Sequence, residues 1–184
     1  MQLSVVIPSY NEAQYLSACL ESILKQEVAA DEIIVVDNNC TDKTVAIAKE
    51  YPVIVIHEPK QGITHARNAG FDRASGDIIV RCDADDIVPP DWLKKIRDCF
   101  KDRSIVAVTD PVIFDKIHFA HQLTKLQQFF YVHLSRIWLD TDVLCGANYA
   151  LRRAEWKKIR NQVCLDDSQV HEDFDLTIHL KPYG

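Results

Sequence analysis

Apolar positions in the N-terminal half of the chain follow two alternating patterns. Short unbroken runs, "LSVVIP" at 3–8, "EIIVVD" at 32–37, "VIVIH" at 53–57 and "DIIVRCD" at 77–83, are rich in β-branched residues and read as strands. Between them the apolar residues recur every three or four positions. Leu16, Leu20, Ile23 and Leu24 share one stripe of a helix predicted over residues 12–25. Thr41 or Asp42 caps a second helix reaching Glu50, residues 63–74 form a third that stops at Ser75-Gly76, and Pro89-Pro90-Asp91 opens a fourth that runs to Phe100. A strand that is apolar at every position has both faces buried. Such strands alternating with helices predict an α/β domain, with a mostly parallel central sheet flanked by helices.

Beyond residue 104 the pattern loosens. "SIVAVTDPVIF" predicts one or two strands, residues 119–138 an aromatic-rich helix, and "VLCGANYALRR" a further strand, with helical segments near Glu155 and Asp173. Phe119, Leu123, Leu126, Phe130, Leu134 and Ile137 make a helical stripe. Such a stripe reads first as core, and second as a surface able to lie on lipid. The chain therefore divides into a part up to about residue 104 and a part from about 105 to 184, within one domain. Its ending, "HLKPYG", reads as a longer protein cut there, so a C-terminal part is expected to follow.

Composition narrows the function classes. A hydrophobic content of 47% supplies a buried core, and 27 acidic against 21 basic side chains leave a net charge of −6. That balance carries no polybasic footprint for nucleic acid. A polyanionic substrate would need local neutralisation, which a divalent cation supplies. No apolar run approaches the roughly 20 residues of a membrane span, and no signal peptide is read at the start. Cys19, Cys40, Cys82, Cys99, Cys145 and Cys164 are scattered without a C-x-x-C pair, the usage expected of reduced thiols in the cytoplasm. His118 and His121 have helical ligand spacing, but no second ligand pair accompanies them, so a structural zinc site is not expected.

Ligands of open α/β sheets bind at the carboxyl ends of the strands. Three of the first four strands deliver polar clusters there: "PSYNE", "DNNCTD" and "DADD". Asp and Asn also serve turns and caps, so each cluster alone is weak, and their convergence on one edge is the signal. A dinucleotide site would place a glycine-rich turn after the first strand, yet none of Gly62, Gly70, Gly76, Gly146 and Gly184 lies there. Asp83 and Asp85 stand at i and i+2 of an extended segment, so both carboxylates face one side and suit a magnesium or manganese ion. Asp86, just beyond, reads first as solvent-facing decoration of the helix start, and second as a support behind the metal ligands.

The motifs "SVVIPSYNE", "EIIVVDNNCTDKT", "GITHARNAGFDRASGDIIVRCDADD", "GANYALRR" and "HEDFDLTIHL" follow one another over nearly the whole chain. In that order they resemble an inverting glycosyltransferase of family two, with the nucleotide-sugar-binding fold called GT-A. The resemblance implies transfer of a sugar from a nucleoside diphosphate donor, UDP-sugar first, to a hydroxyl on a glycan or lipid-linked glycan, with Mn2+ or Mg2+ holding the diphosphate. It assigns Pro8, Tyr10 and Glu12 to the base and ribose pocket and Asp37 to the base. Gly62, Arg67 and Asn68 would border the donor, with Arg67 a candidate diphosphate contact. Asp83 would meet the ribose or sugar and the metal, and Asp85 the metal. Gly146, Ala147 and Asn148 fall on the acceptor-side strand. Asp173 takes the place of the catalytic base, with Glu172 beside it, and such a base is what an unreactive hydroxyl requires. The family's usual "DDGSTD" reads here as Asp37-Asn38-Asn39-Cys40-Thr41-Asp42, which lacks the second acid and the glycine. The rivals are a non-catalytic nucleotide-sugar-binding or scaffold domain, and a sugar nucleotidyltransferase, which would need a glycine- and Lys/Arg-rich loop after the first strand. The resemblance places the protein in the cytoplasm, with peripheral contact at the inner face of the membrane as an option.

Overall fold

The computed structural model describes residues 1–109, 143–144 and 147–183. Four strands, β1 (Leu3–Ser9), β2 (Glu32–Asp37), β3 (Ile54–His57) and β4 (Ile78–Cys82), pair in parallel. Two more complete the edge: β6 (Asn148–Arg152) pairs antiparallel with β4, and β5 (Ala107–Thr109) pairs antiparallel with β6. Among the described residues these make a six-stranded sheet of order β3-β2-β1-β4-β6-β5. The helices are α1 (Leu16–Leu24), α2 (Thr44–Ala48), α3 (Ile63–Arg73), α4 (Trp92–Cys99), α5 (Arg153–Ile159) and α6 (Glu172–Leu180). The fold is α/β with a mostly parallel sheet, as the alternating pattern predicts.

The unbroken apolar runs are explained by a core on each face of the sheet. Successive residues of β1 point opposite ways, so Val5 and Ile7 pack with Leu16, Leu20, Trp92 and Leu93, while Val6 packs with Phe71, Trp156 and Leu176. Helices α1 and α4 thus cover one face, and α3, α5 and α6 the other. Gly70 lets α3 sit close on the sheet, because a Cβ there would lie 2.3 Å from Val6 Cγ1 and 2.9 Å from Val36 Cγ2.

The first helix begins later than its pattern predicts. A turn in which Glu12 O accepts from the amides of Tyr15 and Leu16 precedes α1, so the "PSYNE" cluster stays in a loop at the sheet edge. The aromatic stripe of residues 119–138, His118, His121, Cys145 and Gly146 lie outside the described residues. Among the described residues no helix is long and apolar enough to cross a membrane.

Candidate active site

The chain runs from β1 outward through β2 to β3, then returns to place β4 on the other side of β1. Strand order therefore reverses between β1 and β4, which is the switch point where open α/β sheets part their loops into a crevice for ligands. Parallel register aligns Ser9 with Asp37 and Asp37 with His57, so the loops after β1, β2 and β3 emerge side by side.

Asp37 closes β2. Its Oδ1 accepts from the Cys40 amide at 2.8 Å, and its Oδ2 lies 2.9 Å from His57 Nδ1. Burial pushes its carboxyl up, but the Cys40 amide, His57 and the Cys40 thiol outweigh this and hold it below the usual aspartate value. Asn38 ties the loop to its neighbour, its Nδ2 donating to Glu58 O and Lys60 O and its Oδ1 accepting from the Gly62 amide. Asn39 stands where the usual family pattern has glycine, and it takes the same kind of backbone, with φ of 64°. Asparagine tolerates that left-handed region better than most residues, so the turn survives the lost glycine. Of the β1 motif, Pro8 is paired with Val36 inside the sheet, while Tyr10 is half exposed and Glu12 is half-buried.

At the end of β4 the Asp83 amide donates to Ala147 O, which sets the acidic loop against the start of β6. Asp85 is exposed and Asp83 and Asp86 are half-buried. Asp83 is raised by burial, opposed by Arg81 and reinforced by Asp85 and Glu172. Glu12 is raised by burial and then by Asp85 and Asp83, so the β1 loop faces the same carboxylates. Asp86 is pushed up to about 6 by burial and by Asp83 and Asp85, with its amide donating to Asp83 O. It belongs to the acidic cluster and is not the solvent-facing decoration that its helix-start position implied. Among the described residues no three His, Cys, Asp or Glu side chains converge into a closed metal cage.

Behind these acids lies a buried chain of ion pairs. Arg81, the penultimate residue of β4, donates through Nη2 to Asp83 Oδ1 at 3.0 Å and through Nη1 to Glu172 Oε1 and to Asp173 Oδ1, the last at 3.4 Å. Arg67 of α3 donates through Nη1 to Glu172 Oε2 at 2.7 Å and to Glu172 O at 3.1 Å, and through Nε to Asn68 Oδ1. Arg67, expected at the diphosphate, is wholly buried with its guanidinium committed to Glu172. Glu172 in turn is gripped by two guanidiniums, which makes it an anchor for the start of α6. Asp173 is raised to about 6 by burial and then by Glu172, against the pull of Arg81, His171 and Arg67. Tyr149 of β6 sits under the Arg81 guanidinium, 5.7 Å from ring centroid to Cζ. Arg67 Nη2, Arg81 Nε and the Tyr149 hydroxyl have no hydrogen-bond partner among the described residues, the kind of defect that functional sites retain.

Asn148 Oδ1 accepts from Trp92 Nε1 at 3.0 Å, and Ala147 meets Asp83 as above, so the start of β6 borders the acidic loop. Gly62 holds a positive φ of 141° where a Cβ would meet Asp167 Oδ2 at 2.7 Å. Asp167 also pairs with the Thr64 hydroxyl, which docks the loop before α6 onto the start of α3. The roles of Arg81, Tyr149 and Asp167 escape motif reading. The one signal for Arg81 is a lone arginine inside an otherwise apolar strand.

Residues 4–159 match the sequence profile described as "Glycosyl transferase family 2". The chain belongs to glycosyl transferase family 2. Its relatives in the family include the dolichol-phosphate mannosyltransferase of Pyrococcus furiosus, 38% identical over 114 residues, or 59% of this chain and 32% of that one. The glycosyltransferase YwdF of Bacillus subtilis is 41% identical over 100 residues, 52% of this chain and 37% of its own. The mannosyltransferase PcManGT of Pyrobaculum calidifontis, solved with GDP-Man and Mn2+, superposes with a TM-score of 0.73 at 26% identity over 96% of this chain and 50% of its own. S. aureus TarS residues 1–349, solved with UDP-GlcNAc, superposes at 0.72 and 23% identity over 98% of this chain and 54% of its own, a likeness of fold. This family 2 chain therefore spans about a third of the curated relatives and about half of the solved ones.

Proposed function

We propose that the protein transfers a sugar, with inversion, from a nucleoside diphosphate donor, a UDP-sugar first, to a hydroxyl of a glycan or lipid-linked glycan. The observation that carries this reading is the link, through one buried arginine, between Asp83 at the switch-point crevice and Asp173 at the head of α6. It supports a donor site and a base held as parts of one site. Asp37 would accept a hydrogen bond from a base N–H, with Tyr10 and Glu12 bordering the pocket.

The donor set fits a divalent cation of the Mg2+ or Mn2+ kind. Glu12, Asp83 and Asp86 are all raised, in each case partly by neighbouring carboxylates, an electrostatic deficit that a cation relieves. Asp85 and Asp83 would hold it, with water and substrate oxygens completing the shell in the absence of a protein cage. When bound, the ion supplies charge neutralisation for the departing diphosphate. PcManGT, solved with GDP-Man and Mn2+, supports both a metal and a nucleotide-sugar donor, and leaves GDP as the alternative nucleotide.

Asp173 is suited to take the acceptor's proton. A base works best with a pKa near the operating pH, and its carboxyl is raised toward that range to about 6. The test uses the full-length protein and Asp173→Asn. Donor binding with Mn2+ is expected to survive, because the substitution leaves Asp83 and Asp85 (the DxD acids) intact, while transfer falls by about 10² to 10⁴. Wild-type transfer would remove Asp173 as base. Donor binding with no transfer by the wild-type protein to any acceptor offered would favour a nucleotide-sugar-binding module.

A further inference from the structure

Removing the buried charges of β4 and α6 from water is costly, and the arrangement is specific rather than merely neutral. Two guanidiniums face Asp83, Glu172 and Asp173, and only Arg81 touches all three carboxylates. Its side chain is 3% exposed, and those of Glu172 and Asp173 are 6% and 8% exposed. A planar fork can hold several carboxylates in fixed directions, which a lysine ammonium cannot do.

We propose that Arg81 is a positioning residue, which fixes the Asp173 carboxylate relative to the DxD acids and keeps it ionised for proton transfer. This rests on the reading of Asp173 as the base, though the link itself can be tested without that reading. Four ionisable groups bear on Asp173: Glu172 and His171 from its own segment, Arg81 from β4 and Arg67 from α3, with the Tyr149 phenol of β6 also beside it. Glu172 opposes ionisation of Asp173 and is itself held by both arginines. Arg67 spends its short contacts on Glu172, whereas Arg81 contacts Asp173 directly. Without Arg81, the like charge of Glu172 would act on Asp173 with much of its compensation gone.

The decisive measurement is the titration of the Asp173 carboxyl carbon by ¹³C NMR, assigned through Asp173→Asn, in wild type, Arg81→Gln and Arg81→Lys. Loss of an opposing charge at this range moves a carboxylate by about 1 to 3 pH units, so Arg81→Gln is expected to raise the Asp173 midpoint by about one unit or more. Arg81→Lys keeps the charge but not the fork and is expected to raise it less. Should Arg81→Gln not fold, Arg81→Lys alone carries the test. An unmoved midpoint in the folded variants would overturn the proposal, since a merely structural arginine changes stability without changing this titration.

Transfer gives the second readout. In Arg81→Gln the acid limb of kcat is expected to move up with the NMR midpoint, and in Arg81→Lys to move up less, without recovery of the full rate. A limb that stays fixed while the midpoint moves would overturn the catalytic part of the role. A moved midpoint together with full transfer by Asp173→Asn would instead defeat the general-base reading and leave the electrostatic link standing.

Discussion

Asn38 Oδ1 accepts a 2.9 Å hydrogen bond from the amide of Gly62, joining the loop after β2 to the start of α3. The Asn38 amide nitrogen donates to two carbonyls of the same neighbouring loop, so one side chain fastens the loop after β2 to the loop after β3. The turn that lets it do so depends on the next residue.

Asn39 holds a φ of 64° and donates from Nδ2 to Pro59 O at 2.9 Å. Asn39→Ala is expected to cost about 1–2 kcal/mol in urea unfolding, because a Cβ residue without a compensating polar group resists the left-handed region. Asn39→Gly is expected to cost less, losing the bonds to Pro59 O and Gln61 Oε1 but not the backbone angle. The reverse order would mean that the hydrogen bond, and not the backbone angle, selects asparagine.

Asp85 and Asp86 should part company. Asp85→Ala is expected to weaken manganese-dependent nucleoside diphosphate binding by about tenfold or more. Asp86→Asn is expected to leave that affinity near wild type and to raise the melting temperature of the metal-free protein, since it deletes one of several mutually repelling carboxylates. Calorimetry with Mn2+ and then with chelator, alongside thermal melts, reads both. A larger binding loss from Asp86→Asn would make Asp86 the ligand.

Gly70→Ala tests how closely α3 must approach the sheet. Its Cβ would overlap Val6 Cγ1 and Val36 Cγ2, and overpacking of this kind costs about 1–3 kcal/mol. Adding Val6→Ala should recover part of that loss in chemical denaturation, because the two changes share one space. Strict additivity would show that α3 shifts instead.

Glu32 supplies a pH test away from the site. It accepts from Ser4 Oγ, from the Ser75 amide and from Ser75 Oγ, with Arg73 at 3.8 Å. Burial raises its carboxyl, but those hydrogen bonds and Arg73 prevail and lower it below 4.5. A depressed folded-state value stabilises the protein above the unfolded value, and that stability is lost as the pH falls through the folded one. Wild type should therefore exceed Glu32→Gln by about 1 kcal/mol at neutral pH, with the gap closing in acid below 4.5. A gap independent of pH would mean that the carboxylate charge contributes nothing.

The periodicity of the sequence was enough to predict the four parallel strands, their helices and the edge at which the polar clusters gather. A residue's neighbours along the chain dictate whether its apolar face repeats at two or at 3.6, and β1 to β4 are apolar throughout because helices cover both faces of their sheet. The motifs likewise placed Asp37, Asp83, Asp85 and Asp173 at strand and helix ends, which local pattern locates. What Arg67, Arg81 and Glu172 do was decided only by tertiary structure. Arg67 and Glu172 lie 105 positions apart and Arg81 and Glu172 91 apart, and no local rule pairs groups at such separations. The same holds for Asp86, whose position at a helix start implied solvent until packing half-buried it among like charges. Charge burial depends on which distant segments close over a side chain, and folding brings those segments together only when the whole sheet is formed.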